Sequence, residues 1–446
     1  MHEISLTTAN SWFDWNIGPG WLIVLALIIL VLRGRRLAAT LLSLRAISPA
    51  PVMSRVLSKL VGTRYHNEEE FLAADGAPGE IRQCRGQALE RLAREMRERS
   101  PRSEDWGKQV RGGLSDLRFA DANRVPFPFA RVMREKFNLC SVATASEGPY
   151  LVDLDGNRNL DIGGSYGVNV AGYERYKTWI DEGWKKVRDL GPVLGPLHPV
   201  VAENIAMLKA ISGLDEVSFH QSGTEAVMAA VRLARFNTGR EKIVCFSGAY
   251  HGWWDGVQPG LGSERAIDDC LTLKEMNPAS LSAIRRHAHM LAGVLVNPVQ
   301  SFHPNSPPPN DAVMMTSSIR RTREDVTSSY SAWLRELRQV CDECGVPLIF
   351  DEVFTGFRLA PGGAQEYFGV KADMVLYGKT VAAGLPIGVV CAKKDLMRRF
   401  DPDHPMRIAY VVGTFSAYPH AMGGIDRKST RLNSSHSQQS RMPSSA

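Results

Sequence analysis

At 446 residues the chain is long enough for two or three domains and a sizeable core, and its 44% hydrophobic and 22% charged content is that of a globular protein. Half of the net charge of +6 comes from the last 21 residues, Asp426 to Ala446, which hold four basic side chains against one acidic. Another basic cluster, Arg33, Arg35 and Arg36, flanks an apolar run, so the remainder is near neutral and nucleic acid is not an expected partner.

That apolar run, Trp21 to Leu32, is 12 residues long and extends back to Ile17 through Gly-Pro-Gly. It is short of the roughly 20 residues of a full span, and no Lys or Arg precedes it as in a signal peptide. Trp12, Phe13 and Trp15 on one side and the arginines on the other resemble interfacial anchors. Residues 1–36 are therefore expected to be a membrane anchor, with a buried core helix as the alternative, and everything after Arg36 to be cytoplasmic. Residues 37–115 read as a helical extension or linker; over Glu80–Arg99 an apolar face (Ile81, Cys84, Ala88, Leu92, Met96) opposes a densely charged one.

From about Phe119 strands alternate with helices: Tyr150–Leu154, Glu216–His220, a helix from Glu225, Lys242–Phe246, Gly293–Val296, a helix around Tyr330–Cys341, Val346–Phe350 and Met374–Tyr377. This alternation predicts an α/β domain with a largely parallel sheet. A proline-rich loop, "HPNSPPPND", interrupts it. The cysteines are scattered, and Cys341-Asp-Glu-Cys344 lacks the second pair that a zinc site needs, so no metal is expected and these read as core thiols. The tail 426–446 is polar, low in complexity and aperiodic; it resembles translated sequencing-adapter read-through, with a natural disordered tail as the alternative.

Four features carry chemistry. Ser222-Gly-Thr-Glu225 has the capping-box spacing ahead of an apolar helical stripe, and a helix start with a close-approach glycine favours an anion. "KIVCFSGAYHG" ends a strand and presents Tyr250 and His251 where α/β sheets bind ligands. In "VPLIFDEVFTGFR" Asp351 terminates an apolar strand, so its carboxylate needs a cationic partner such as a protonated pyridine nitrogen. Lys379, between "DMVLYG" and "AAGLPIG", is placed to be partly desolvated, which lowers a lysine's pKa and suits it to a Schiff base. Phosphate cradle, stacking aromatic, pyridinium carboxylate and imine lysine together describe pyridoxal 5'-phosphate (PLP).

Those segments, with "GGAQEYFGV" and Gly413-Thr414-Phe-Ser, resemble class III PLP-dependent aminotransferases, and among them glutamate-1-semialdehyde 2,1-aminomutase-like proteins, over roughly Arg124 to Met422. The resemblance implies a fold type I α/β transferase with helices on both faces of the sheet, acting as a homodimer. It implies a small domain beginning over 116–165, a large PLP-binding domain over 166–400, and a truncated C-terminal part starting over 401–425. It implies that Lys379 forms the Schiff base, that Asp351 holds the pyridinium, and that Ser222, Gly223 and Thr224 hold the phosphate. Tyr250 would stack on the ring, His251 and Val353 would also bind the cofactor, and Thr414 would reach the neighbouring subunit's phosphate. Arg131 and Tyr166 match substrate positions. The family's Glu-Pro-Val is Asn297-Pro298-Val299 here, and the segment after Tyr250-His-Gly is short for a gating loop, which favours transamination of an amino or oxo acid over the intramolecular aminomutase reaction. A non-catalytic remnant or membrane scaffold is the alternative of another class, and a lysine-imine aldolase is a more distant one.

Overall fold

The computed structural model describes residues 46–60, 66–123, 127–137, 141–258, 262–263, 265, 267–299 and 326–426. The 17–36 run, the proline-rich loop after Ser301 and the tail beyond Asp426 lie outside the described residues.

Among the described residues six helices come first: α1 (Ala50–Leu60), α2 (Glu68–Leu72), α3 (Gly79–Arg99), α4 (Pro101–Arg111), α5 (Ser115–Asn123) and α6 (Phe127–Lys136). Specific polar contacts stitch them to the remainder of the chain. The Asp155 carboxylate accepts from the backbone N–H groups of Arg102 and Ser103 at 2.9 Å each, capping the start of α4, where unpaired donors favour an anion. Asp155 lies in the turn between β2 (Tyr150–Val152) and β3 (Arg158–Leu160), which with β1 (Ala145–Glu147) make a three-stranded antiparallel sheet. Just ahead of α1, Ile47 forms an antiparallel bridge with Leu273, and Ser48 N–H donates to the Thr272 carbonyl at 3.0 Å. The segment around residues 46–48 thereby covers an edge that would otherwise present unpaired backbone groups.

After α7 (Tyr173–Val187) and α8 (Val200–Ser212) the central sheet begins: β4 (Glu216–His220), α9 (Gly223–Thr238), β5 (Lys242–Phe246), β6 (Cys270–Leu273), α10 (Pro278–His287), β7 (Leu291–Val296), α11 (Val326–Cys344), β8 (Leu348–Asp351), α12 (Gly363–Phe368), β9 (Met374–Gly378) and β10 (Gly388–Ala392). Spatial order is β4-β10-β9-β8-β7-β5-β6. The pairings from β9 through β6 are parallel, and β10 is antiparallel to both β9 and β4. β10, which comes after the Gly-Leu-Pro-Ile stretch, and β6 were not among the expected strands.

Alternation along each strand divides the core into two layers. Leu291, Val294, Val296, Leu348 and Phe350 pack on one face with α8, α10 and α11. Ala292, Leu295, Ile349, Met374 and Leu376 pack on the other against α9. Both faces are covered, which is why the strands read as continuous apolar runs. Cys341 is buried in the first layer, and burial pushes its thiol up to about 12.

Candidate active site

Asp351 is the last residue of β8, two after Ile349, so its side chain emerges on the α9 face. It is 3% exposed. Oδ2 lies 2.8 Å from Nδ1 of the equally buried His251, and Oδ1 accepts from the Val353 N–H at 3.1 Å. Facing a carboxylate, Nδ1 is the protonated nitrogen and donates. Nε2 of His251 is buried with no partner among the described residues. The partner of Asp351 within the chain is thus the histidine, which orients the carboxylate. Asn297, directly after β7, contributes its amide, which donates to the Asp351 carbonyl at 3.4 Å.

Lys379 directly follows β9, the parallel neighbour of β8. Its φ of 45° lies in the left-handed region, so the chain breaks from the strand at this residue and turns into a short 3-10 segment ending at Ala382. The amine is half-buried, with no hydrogen-bond partner among the described residues, and the Phe354 ring centroid lies 5.7 Å from Nζ. Burial lowers its pKa from 10.5, Asp351 opposes that shift, and the positive charge of Arg358 adds to it. The next residue, Thr380, is buried and hydrogen-bonds Tyr176 of α7, whose hydroxyl also donates to the Val168 carbonyl at 2.6 Å.

The start of α9 stands beside this pair. Ser222 is the N-cap, its Oγ accepting from Glu225 N–H at 3.2 Å. The box is not completed in the usual way: the Glu225 carboxylate accepts from Gln221 N–H at 2.9 Å, one residue earlier than the cap. Close packing here requires glycine. A Cβ on Gly223 would lie 2.7 Å from Val353 Cγ1, and one on Gly252 would lie 2.9 Å from Thr224 Cβ. Gly388 lets β10 press against the Ser222 carbonyl. Ser222, Gly223, Thr224, His251, Asp351, Val353 and Lys379 are therefore linked through a continuous set of contacts.

The remaining expected residues stand around this set. Tyr250 precedes His251 and is 50% exposed. Thr414 is exposed, in a loop whose Phe415 carbonyl accepts from the Gln221 side chain at 3.3 Å, next to the start of α9. Tyr166 is 83% exposed in the Gly164–Gly167 turn, and Gly167 abuts Phe354 and Arg358. Arg131 is not brought to the cluster: it is exposed on α6 and pairs with Glu135 at 2.9 Å.

Two neighbours escape the sequence reading. Phe354 adjoins two cations, with the Arg358 guanidinium carbon 4.4 Å and Lys379 Nζ 5.7 Å from its centroid. Arg358 has Nε and Nη2 buried with no partner among the described residues. The only sequence signal for either is their place in the loop after Asp351.

Among the described residues no helix is long and apolar enough to cross a membrane, and no group of three or more His, Cys, Asp or Glu could hold a metal ion.

Comparison with known proteins gives a consistent picture. Glutamate-1-semialdehyde 2,1-aminomutase of Thermomicrobium roseum is 34% identical over 297 residues, which are 63% of this chain and 63% of that protein. The chain thus spans under two thirds of the length of such curated relatives. A solved transaminase with PLP bound superposes with a TM-score of 0.53 at 27% identity, covering 72% of this chain and 74% of that one. An omega-transaminase from Sphaerobacter thermophilus gives 0.58 at 26% identity, covering 74% and 72%. The profile of the family described as Aminotransferase class-III matches residues 132–258 and 323–426, just over half of the chain. With the α/β sheet and the lysine–aspartate cluster at the ends of adjacent parallel strands, this match establishes that the chain belongs to the class III aminotransferases.

Proposed function

We propose that the chain is a PLP-dependent enzyme that transfers an amino group to or from an amino or oxo acid. The observation that carries the reading is Lys379: a half-buried amine without a hydrogen-bond partner among the described residues, at the end of β9, beside a buried carboxylate at the end of β8. The surroundings fit the cofactor. Glycines at 223 and 252 keep the α9 start clear of Cβ atoms, its first N–H groups suit a phosphate, and Tyr250 is a half-exposed aromatic close in sequence to Gly252.

When bound, PLP supplies an aldehyde that condenses with amines and a ring that takes up electron density from the carbon bearing the amine. Lys379 supplies the amine, and its lowered basicity leaves more free base at a given pH than an exposed lysine has. Nζ would be the group that takes a proton from the substrate carbon as base and returns it as acid. Asp351, oriented by His251 and Val353, holds a proton on a ring nitrogen placed against it. Ser222, Gly223 and Thr224 hold the phosphate, Val353 lines the ring, and Thr414 serves the partner's phosphate in a homodimer. Tyr166 is a substrate-side residue by family position, whereas Arg131, exposed on α6 and paired with Glu135, is not given that role within this chain.

The same residues serve an intramolecular aminomutase, a second reading supported by relatives such as that of T. roseum. A membrane tether at 17–36, with the catalytic portion on the cytoplasmic side, is supported by the apolar run and its arginines. It is further supported by the apolar face of α1, where Val52, Met53, Val56 and Leu60 are all exposed. The large domain is assigned to 166–400 and the small domain to the segments that flank it.

The test is a single-turnover half-reaction. The cofactor-loaded protein, mixed with an amino acid but no oxo acid, should convert its visible band to that of the aminated cofactor, and Lys379→Ala should abolish the conversion. Conversion at the wild-type rate in the variant would refute the assignment.

A further inference from the structure

Helix α1 is amphipathic, but it faces the opposite way from most surface helices. Such a helix ordinarily turns its apolar stripe to the core and its polar face to water. In α1 the half-buried residues are Pro51, Ser54 and Arg55, whereas Val52, Met53, Val56, Leu57 and Leu60 are between 44% and 76% exposed. At 3.6 residues per turn those five fall within one sector of about 140°.

This exposure is not that of a frayed end, because the helix is fixed where it begins. Ile47 bridges to Leu273, and Lys274 N–H donates to the Ala46 carbonyl at 3.0 Å. Ser48 Oγ donates to Ser247 Oγ at 3.0 Å, and one turn into α1 Arg55 Nη1 donates to the Arg265 carbonyl at 3.0 Å. The polar side is thus tied to the large domain, and the apolar side is left for something outside the fold; a contiguous apolar patch of this kind marks an interaction surface. Its place is also specific. Ser247 and Thr272–Lys274 lie at the carboxyl ends of β5 and β6, the edge of the sheet on which Asp351 and Lys379 also lie.

Charge selects what covers the stripe. Between Asp14 and Glu68 the sequence has no acidic side chain and seven basic ones, from Arg33 to Arg64. Two of them, Arg55 and Lys59, are one turn apart on α1 and flank the Val52–Val56 side of the stripe. A second copy docking through this face would bring the same positive charge to the contact. An anionic lipid surface attracts that charge and accepts the apolar side chains among its acyl chains. At 11 residues α1 is too short to cross a bilayer, so it would lie in the plane. The apolar run Trp21–Leu32 is separated from Ala50 by residues 33–49 alone, close enough in the chain to meet the same surface.

We propose that α1 lies in the plane of an anionic lipid surface, with the stripe from Val52 to Leu60 among the acyl chains and Lys59 and Arg55 at headgroup level, and so holds the carboxyl edge of the sheet near the membrane. This rests on the proposed membrane association of the chain and gives it a second, folded contact.

The test is hydrogen exchange of the full chain, read peptide by peptide. It is run in buffer, with vesicles of phosphatidylcholine alone, and with vesicles of phosphatidylcholine and phosphatidylglycerol in equal parts; co-sedimentation gives the bound fraction. Amides of residues 50–60 should exchange about tenfold or more slowly on the anionic vesicles than in buffer, and clearly less slowly with phosphatidylcholine alone. The double variant Val56→Asp, Leu60→Asp changes only exposed side chains, so it should unfold at the wild-type temperature and lose that protection. A chain that is bound to the vesicles while 50–60 exchanges as in buffer overturns the proposal and leaves the 17–36 tether standing. Equal protection on both kinds of vesicle, or protection kept by the double variant, also overturns it. Protection without vesicles that grows with protein concentration assigns the stripe to a second copy, and protection without vesicles at every concentration assigns it to another part of this chain; both overturn the proposal. A chain that binds neither kind of vesicle refutes the tether reading as well.

Discussion

Lys379 leaves β9 with φ at 45°, a conformation that a residue with a Cβ keeps only where its surroundings impose it. Here the constraint comes from both sides: Gly378 packs toward Val353, and Thr380 is tied to Tyr176. Asp351 is fixed in the same manner by His251 and Val353. Asp351→Asn keeps the shape but removes the charge, so it should bind PLP yet turn over at least about a hundredfold more slowly, the usual scale for losing one well-placed electrostatic group. Turnover within about threefold of wild type would remove Asp351 from the mechanism. Both residues are legible in sequence, since each ends or follows an apolar strand where a charge has no structural reason to be. Arg358 is not legible. Its neighbour Gly167 is brought beside it only by the tertiary fold.

At the level of elements, the expected strands 216–220, 242–246 and 374–377 coincide with β4, β5 and β9 within a residue. For β5 and β9 burial on both faces is local information, written as a nearly unbroken apolar run, whereas β4 shows itself by alternation, Glu-Val-Ser-Phe-His. β10 escapes the same reading because it opens on Gly388 after Leu-Pro-Ile, which looks like loop. Only the approach of Gly388 to the Ser222 carbonyl explains why a strand begins there. The loop from β8 to α12 holds a further device. Glu352 is 1% exposed, its carboxylate accepts from the Ala364 N–H at 2.7 Å near the start of α12, and burial raises its pKa from 4.5 to about 7. A carboxyl raised in the folded state binds more protons there than in the unfolded chain between pH 4.5 and about 7, so stability falls as pH rises through that window. Glu275 behaves alike, while His220, lowered by burial to about 4, acts in the opposite sense between about pH 4 and 6.5. Comparison with Glu352→Gln isolates the one group. Wild type should lose roughly 2 kcal/mol of stability relative to the variant between about pH 5 and pH 8. Parallel pH profiles from denaturant unfolding would show that Glu352 is not the source.

Over the whole molecule, the central sheet brings chain ends of distant segments into one place. Residues of α9, β8, β9 and the 250–252 turn converge because parallel strands β7, β8 and β9 share one carboxyl edge. The N-terminal helices are anchored rather than appended: the 46–48 segment bridges to β6, and α3 and α4 are bound to the β1–β3 sheet through Asp153, Asp155 and Asn157. No periodicity or composition announces such contacts, which is why residues 37–115 read only as an extension. All of this architecture converges on one amine, that of Lys379. The most direct measurement is borohydride reduction of the PLP-loaded protein followed by peptide mapping. A stable pyridoxyl adduct on Lys379, absent in Lys379→Ala, is the predicted result; an adduct on another lysine, with Lys379 unmodified, would contradict it.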